Sequence, residues 1–266
     1  MKKRKAMLFD ITKCVGCLAC YEACKVENDL PVTAEDPLQD TLSDKTFTSI
    51  EMRGDYYIRK MCQHCSDPAC LSVCPVGAFS KSASGAVLYD EKKCMGCRYC
   101  MQACPFQIPR FEWRSTNPKI TKCIMCYDLV KNGEATACST ACPAESTIFG
   151  DYDDIVNEAK SRLENNPEQY HPHIYGLKEV GGTSVLNLSP VPLEKLGFYA
   201  NLPNDRLPDL TWNALEKIPT VVSVGGVMLA GFYWLTNRKN EIKREELSQN
   251  NNRHTESTQG EKSDEK

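Results

Sequence analysis

The sequence predicts an α+β protein built from two similar cysteine-rich modules and a single C-terminal transmembrane helix. Three observations support this prediction. Sixteen cysteines fall into four groups of four. Short apolar runs with the length of β-strands flank these groups. Residues 218–237 contain no charge and are long enough to cross a membrane.

The composition is that of a folded protein without a strongly charged surface. The 266 residues include 32 Lys+Arg and 35 Asp+Glu, which gives a formal net charge of −3. Hydrophobic residues account for 41% and charged residues for 25%, close to globular averages. These values exclude a largely disordered chain and a polytopic membrane protein, and the near-neutral charge argues against nucleic acid as a partner. Sixteen cysteines are unusual in a chain that is too long to need disulfides for folding.

The spacing of the cysteines indicates their chemistry. The first and third groups read C-x2-C-x2-C-x3-C, the second reads C-x2-C-x4-C-x3-C and the fourth reads C-x2-C-x11-C-x3-C. In chain order the groups are Cys14, Cys17, Cys20 and Cys24; Cys62, Cys65, Cys70 and Cys74; Cys94, Cys97, Cys100 and Cys104; and Cys123, Cys126, Cys138 and Cys142. In a bacterial ferredoxin run of this kind, three thiolates bind one iron–sulfur cluster and the fourth binds the other cluster of a pair.

Disulfides and zinc are the competing interpretations of these groups. Adjacent C-x2-C pairs would close very small, strained disulfide loops. Zinc sites use C-x2-C pairs as well, but normally as two pairs separated by a longer loop. Thiolates stabilise iron in both oxidation states, and no group lacks a cysteine, so the sequence predicts four [4Fe–4S] clusters and no [3Fe–4S] centre. A zinc-bound structural module is the alternative that metal analysis would separate.

Short apolar runs place the cysteine groups between strands. Runs at 7–11 and 56–58 precede the first and second groups, and a run at 146–149 follows the last. Residues 78–81 and 86–89 flank a Ser/Gly-rich turn and predict a hairpin. The order strand, cluster loop, short helix and strand is therefore repeated, which predicts two ferredoxin-like modules with two clusters each.

The cluster domain is expected to cover residues 1–170. Within it, residues 26–55 form an insertion of mixed polar and turn residues, expected to be a surface loop at a subunit interface. Residues 151–166 predict a helix, because Ile155 and later apolar residues recur at helical spacing. Asp153 or Asp154 is the expected N-cap of this helix.

Three segments follow the cluster domain. Residues 171–217 contain many Pro and Gly and predict an extended arm on a surface, either its own or that of a partner. Residues 218–237 predict a transmembrane helix, bracketed by Lys217 and Arg238, with a buried core helix as the alternative. Residues 238–266 have almost no apolar content and are expected to be disordered.

Basic residues near the span predict its orientation. Those that follow it are Arg238, Lys239, Lys243 and Arg244, whereas those shortly before it are Arg206 and Lys217. We therefore expect a single-pass inner-membrane protein with a cytoplasmic C-terminus and a periplasmic cluster domain. The basic residues 1–5 are not followed by an apolar stretch or a twin-Arg pair, so export would require a partner that carries a signal. The alternative is a cluster domain on the cytoplasmic face.

Charged and aromatic residues near the cysteines have more ordinary interpretations. Arg98 and Tyr99 could tune a cluster but are as well explained by surface packing, and His64 is expected to bond nearby backbone. His171 and His173 are expected to pack within the arm. The sequence contains no Ser/His/Asp constellation, phosphate loop or Rossmann fingerprint. We therefore expect a non-catalytic chain whose cofactors perform the redox chemistry.

The motifs together identify a family. Residues 94–101 read Cys-Met-Gly-Cys-Arg-Tyr-Cys-Met, and residues 173–176 read His-Ile-Tyr-Gly. With Gly-Gly-Thr at 181–183 and one C-terminal span, the chain resembles the four-cluster iron–sulfur subunits of membrane-bound respiratory oxidoreductases. The resemblance covers roughly residues 7–236 and is of the formate dehydrogenase β-subunit and [NiFe] hydrogenase iron–sulfur subunit type.

The resemblance implies that each cluster takes ligands from two cysteine groups. Carried over to this chain, the four ligand sets are set A (Cys14, Cys17, Cys20, Cys142), set B (Cys24, Cys123, Cys126, Cys138), set C (Cys62, Cys65, Cys70, Cys104) and set D (Cys74, Cys94, Cys97, Cys100). The family also implies a wire of four clusters. Electrons would pass between a catalytic subunit and a membrane cytochrome b or other quinone-reactive subunit, and the C-terminal helix would contact lipid. A free-standing polyferredoxin, or a subunit of another molybdopterin oxidoreductase, is the alternative.

Overall fold

The computed structural model describes residues 4–116, 118–199 and 201–260, with side chains up to residue 248. The chain divides after Leu210 into two compact units. The strands are β1 (Lys5–Asp10), β2 (Ser49–Arg53), β3 (Tyr56–Lys60), β4 (Phe79–Lys81), β5 (Val87–Tyr89), β6 (Arg110–Phe111), β7 (Ile120–Thr121), β8 (Thr147–Asp151) and β9 (Val185–Leu188). The α-helices are α1 (Ala19–Glu27), α2 (Ala69–Ser72), α3 (Tyr99–Ala103), α4 (Tyr127–Asn132), α5 (Ala137–Thr140), α6 (Tyr152–Asn165), α7 (Leu207–Leu215) and α8 (Ile218–Gly260). This mixture of helices and strands agrees with the predicted α+β class.

A three-stranded sheet forms the centre of the first unit. Its order is β8-β1-β9, with β8 antiparallel and β9 parallel to β1. Alternate residues of a strand point to opposite faces. Met7 and Phe9 accordingly pack into one buried cluster of side chains, whereas Ala6 and Leu8 pack into a second. The continuous apolar run in β1 is thus explained by burial on both faces.

Helix α6 covers one face of this sheet. Its residues Ile155 and Ala159 pack in the same cluster as Leu8. The N-cap is Asp151, so the expectation that Asp153 or Asp154 caps the helix is wrong. Both of those residues lie in the first helical turn, where a negative side chain stabilises the helix by its interaction with the positive end of the helix dipole.

Three two-stranded hairpins complete the sheets of the first unit. Strand β2 pairs with β3, β4 with β5 and β6 with β7, all antiparallel. The hairpin predicted between the second and third cysteine groups is therefore confirmed as β4–β5. The strands predicted at 7–11, 56–58 and 146–149 are confirmed as β1, β3 and β8, with small differences in their bounds.

The first and third cysteine groups have the same local backbone. Asp10 and Asp90 each accept a backbone N–H two residues on and cap a short 3-10 helix that ends just before the first cysteine. In both loops the residue before the following helix has positive φ, Leu18 at 64° and Arg98 at 63°. The backbone therefore turns in the same way before and within both loops.

The insertion is tied down by a buried ion pair. Lys25 and Asp40 are 6% and 8% exposed, and Lys25 Nζ lies 3.1 Å from Asp40 Oδ2. Tyr21 donates a hydrogen bond to the same carboxylate, and Lys25 donates to the hydroxyl of Thr46. Residues 26–55, expected to form a surface loop, also contain a 3-10 helix at Pro37–Gln39 and the strand β2.

The segment expected to be an arm contributes to the interior. Strand β9 lies within residues 171–217, and all four of its residues are buried. Tyr175, Leu193 and Leu196 from the same segment pack into the cluster that contains Met7. Residues 174–196 therefore pack against their own unit, and several of their side chains form part of its interior.

The second unit is dominated by α8. Within the described residues, one helix is long and apolar enough to cross a membrane, and none of its apolar window is buried. This exposure does not fit a buried core helix. The helix continues beyond the predicted span to Gly260, through a polar run rich in the strong helix formers Glu, Lys and Arg. The rest of the tail expected to be disordered, residues 261–266, lies outside the described residues.

Candidate cluster-binding sites

All sixteen cysteines lie in the first unit as free thiols. Each group begins in a loop and ends in or just after a short helix. Fourteen are buried or partly buried, and Cys17 and Cys97 are exposed. The structure therefore offers sixteen unpaired sulfur donors, as the sequence requires for iron–sulfur ligation.

A small, partly open pocket of about 20 Å³ is lined by the four cysteines of set A. Cys14, Cys17 and Cys20 come from the first group, whereas Cys142 is the last cysteine of the fourth group. Burial and the nearby Cys138, Cys14 and Cys142 thiols raise the pKa of Cys20 to about 11.

A second small, partly open pocket of about 20 Å³ is lined by the four cysteines of set D. Cys74 ends the second group, and Cys94, Cys97 and Cys100 belong to the third. Burial and the nearby Cys94, Cys97 and Cys74 thiols raise the pKa of Cys100 to about 12.

The remaining cysteines lie together deeper in the protein. In set B, burial and the nearby Cys138 and Cys24 thiols raise the pKa of Cys126 to about 12. In set C, burial and the nearby Cys62 and Cys104 thiols raise the pKa of Cys70 to about 12. Crowded, buried thiols do not ionise readily by themselves, but they bind as thiolates when metal supplies positive charge.

Backbone N–H groups are aimed at several of the sulfurs. Such donors stabilise thiolate charge and influence the reduction potential of a bound cluster. The donor–sulfur pairs and distances are Ala78 to Cys74 at 3.2 Å, Met125 to Cys123 at 3.3 Å, Gly96 to Cys94 at 3.4 Å and Ile108 to Cys104 at 3.5 Å. These bonds involve sets B, C and D.

Gly16 is required by the tight loop of the first group. Its φ is +67°, and a Cβ atom there would lie 2.5 Å from the ring of Tyr57. Only glycine allows the loop to turn in this way with the tyrosine ring against it.

Electrostatic contacts between sets indicate their spatial order. Cys20 of set A interacts with Cys138 of set B. Cys123 of set B interacts with Cys62 of set C, and Cys70 of set C interacts with Cys100 of set D. Cysteines of neighbouring sets in the order A, B, C, D are thus near enough to affect one another's charge, and the two exposed cysteines belong to sets A and D.

In the part of the chain that the structure describes, no three Cys, His, Asp or Glu side chains converge on the position of a single metal ion. Tetrahedral zinc needs its sulfurs about 2.3 Å from one point. The ligands of a cuboidal cluster each bind a different iron and are held further apart. Sixteen free thiols are the soft donors that iron–sulfur clusters use, and metal analysis is the direct test of zinc.

Three residues singled out from the sequence have structural partners. His64 is fully buried, and its Nδ1 accepts a hydrogen bond from the Val87 backbone N–H at 2.9 Å, which confirms the expected backbone bond. The guanidinium of Arg98 lies 4.9 Å from the ring centre of Trp113, as surface packing predicts. His173 Nε2 lies 2.6 Å from Glu179 Oε1 within the same segment, as expected for arm packing.

Sequence reasoning missed three cations near the cysteines, two of them buried and the third partly buried. Arg59 and Lys122 are 2% and 4% exposed, and Lys81 donates to the carbonyls of His64 and Cys65 at 3.0 and 2.6 Å. The available signal was a basic residue inside or beside an apolar strand that leads to a cysteine. Such residues are usually at the surface, so the signal has little weight without the fold.

Comparison with known proteins gives the same chemistry. Residues 54–152 match the family described as 4Fe-4S dicluster domain. The chain is 35% identical over 269 residues to the hydrogenase-2 operon protein HybA of Escherichia coli O157:H7, covering 84% of this chain and 79% of the relative. It is 32% identical over 247 residues to the formate dehydrogenase iron-sulfur subunit of Haemophilus influenzae, covering 85% and 78%. It is also 32% identical over 254 residues to the formate dehydrogenase-O iron-sulfur subunit of Escherichia coli K12, covering 86% and 81%.

Proposed function

The chain belongs to the family of iron–sulfur electron-transfer subunits of hydrogenase and formate dehydrogenase type. On that premise we propose that it holds four [4Fe–4S] clusters, which relay electrons between a catalytic subunit and a quinone-reactive cytochrome b subunit. The fold and the comparisons together show a ferredoxin-like iron–sulfur domain and, within the described residues, one long apolar C-terminal helix.

The two pockets lined by sets A and D are the observation that carries this proposal. Each brings together three cysteines of one sequence group and one cysteine of another. That is the arrangement in which a ferredoxin run donates its fourth thiolate to a second cluster. The electrostatic neighbours of Cys126 and Cys70 support the same sharing in sets B and C. Four clusters in two modules of two account for all sixteen cysteines.

The order of the sets supports a single-file path. Sets A and D lie at its ends, and each contains an exposed cysteine, Cys17 in set A and Cys97 in set D. Exposed apolar side chains lie beside them, with Val15 64% exposed next to set A and Met95 65% exposed next to set D. Electrons would therefore enter and leave at opposite ends of the path, each end facing a different partner.

The protein positions the clusters and provides their electrostatic surroundings. When bound, the clusters supply one-electron redox chemistry through thiolate-ligated iron. The cysteines hold the clusters in order, the backbone N–H donors stabilise sulfur charge, and the apolar pocket walls exclude water. The non-catalytic role agrees with relatives that are named as iron–sulfur subunits rather than catalytic chains.

Helix α8 is proposed to anchor the subunit in the inner membrane. The apolar part of the helix is exposed along its length, with Val227 75% and Tyr233 72% exposed. Four basic residues follow the apolar part, and this bias supports a cytoplasmic C-terminus and a periplasmic cluster domain.

The test is anaerobic purification of the full chain from membranes in detergent. The proposal expects about sixteen iron and about sixteen sulfide per chain, since each cubane holds four of each. It also expects EPR signals from several clusters after dithionite reduction and a large catalytic chain in the same complex. A colourless, EPR-silent and zinc-rich sample would contradict it. Clusters without a co-purifying catalytic chain would instead indicate a free-standing polyferredoxin.

A further inference from the structure

Arg59 carries a buried positive charge in the middle of the cluster domain. It lies on β3, opposite Ile50 of β2, and is 2% exposed. Its Nη1 donates to the Thr147 hydroxyl at 3.0 Å and lies 3.6 Å from the Met7 sulfur. Within the described residues, Arg59 forms no ion pair with an acidic side chain. An isolated charge with so few partners is costly to bury, so its counter-charge must come from elsewhere.

The sulfur atoms of sets A and B surround this charge. Arg59 interacts with Cys20 of set A and with Cys123 and Cys138 of set B. Thr147, which accepts from Arg59, and Ile50, opposite Arg59 in the sheet, both line the pocket of set A. Met7, next to Arg59 Nη1, packs in the same buried cluster as Cys123 and Cys138 of set B. The guanidinium is therefore close to cysteines of both sets.

Two nitrogen atoms of Arg59 are buried without a hydrogen-bond partner. They are Nε and Nη2. Buried N–H groups nearly always have an acceptor, and an unpaired one needs an explanation. Sulfur atoms of clusters bound by sets A and B are the acceptors that the surroundings can provide, because Cys20, Cys123 and Cys138 lie next to the guanidinium.

From this geometry we propose that Arg59 is a positioning residue that donates its free N–H groups to the clusters of sets A and B and raises their reduction potentials together. The inference rests on the proposed function, since it requires clusters in both sets. Reduction adds one electron, and hence one negative charge, to a cluster without adding a proton. The fixed positive charge therefore attracts the reduced state more strongly than the oxidised state and shifts the equilibrium toward reduction.

The same charge links the two clusters. Because Arg59 acts on both sets, its removal lowers both potentials and leaves the potentials of sets C and D almost unchanged. Three other cations near the cysteines are placed differently. Lys25, near Cys24 of set B, has its charge paired with Asp40 at 3.1 Å. Lys81 interacts with Cys65 and Cys62, and Lys122 with Cys70, all of which belong to set C. Of these cations, Arg59 is the one that lies close to cysteines of both set A and set B and has no acidic partner within the described residues.

The test is an EPR-monitored redox titration of the intact membrane complex with Arg59→Met. We expect the one-electron reduction equilibrium of two clusters to fall at least tenfold, which is about 59 mV, while the other two change less than threefold. Lys60→Met is the matched control. It removes one positive charge from the next residue of the same strand, but Lys60 is partly exposed and pairs with Glu51 at 3.2 Å. It should leave all four potentials within threefold of the wild type.

A second variant and a spectroscopic measurement guard against misfolding. Arg59→Lys keeps the charge and should restore most of the lost potential. In wild-type protein labelled with ¹⁵N-arginine, the reduced clusters of sets A and B should show nitrogen coupling in ENDOR spectra. Unchanged potentials in Arg59→Met, or no nitrogen coupling on either cluster, would overturn the inference.

The iron content separates this failure from failure of the proposed function. If wild-type protein holds fewer than about sixteen iron per chain, the four-cluster proposal itself fails. If it holds the full complement and Arg59→Met shifts nothing, only the role of Arg59 is refuted.

Discussion

Substituting Cys142 by alanine tests whether distant cysteine groups share a cluster. Cys142 lies with Cys14, Cys17 and Cys20 around the pocket of set A, although the fourth group otherwise contributes to set B. The substitution removes one of four thiolate ligands from set A. We therefore expect Cys142→Ala to damage the cluster held by the first cysteine group and to leave the clusters of the other sets in place.

The expected loss of iron follows from the number of iron atoms in one cluster. If the damaged cluster is lost, iron falls from about sixteen to about twelve per chain, since one cubane holds four iron atoms. The stronger evidence is spectroscopic. The EPR difference spectrum of Cys142→Ala should match that of Cys17→Ala, which affects the same set. It should differ from that of Cys126→Ala, which affects set B.

An EPR difference spectrum of Cys142→Ala that matches that of Cys126→Ala would refute the reasoning. If the cysteines were grouped as they occur in the sequence, Cys142→Ala would resemble Cys126→Ala and leave the Cys17→Ala signal intact. Ser139→Ala is a suitable control, because Ser139 is a neighbour of the fourth group that bonds to the Thr136 carbonyl through its hydroxyl and does not line the set A pocket. It should retain all the EPR signals.

Two further predictions concern the anchor and the insertion. Deleting residues 218–235 removes the apolar part of α8 and should move the cluster domain from the membrane pellet to the supernatant; a truncated protein that still sediments with membranes would show that another element anchors it. Lys25→Met leaves the buried Asp40 carboxylate without its cation and should lower the free energy of unfolding by about 3–5 kcal/mol in anaerobic urea titration. The exposed Lys45→Met should change it by no more than about 0.5 kcal/mol, and an equal effect of the two substitutions would contradict a role for the buried pair.

Local patterns predicted most of the strands that lead into the cluster loops. Local sequence was enough to predict strands β1, β3 and β8 and the β4–β5 hairpin, because their apolar runs are next to the cysteines and end at turn residues. Strand β9 could not be predicted from the sequence. Its four residues lie in a Pro- and Gly-rich segment, and it becomes a strand through parallel pairing with β1, about 175 residues earlier in the chain.

The N-cap of α6 and the role of Arg59 show the same limit. Asp151, Asp153 and Asp154 are equivalent candidates by residue type, and the position of β8 decides that the helix begins after Asp151. Arg59 looks like a surface charge in the sequence. Its importance depends on Cys20 and Cys138, which are brought next to it only when strands and helices from distant parts of the chain pack together.

The sequence by itself determined the ligand chemistry, because the type and spacing of thiolates in a short loop are local properties that fix which metal groups the loop can hold. It also determined the apolar helix, since a run of uncharged residues is read directly from the chain. The tertiary structure decided which cysteines line a common pocket and which buried cation lies close to cysteines from distant groups. Those features depend on contacts between residues far apart in the chain, and such contacts form only when β1, β3, β8 and the cluster loops pack against one another.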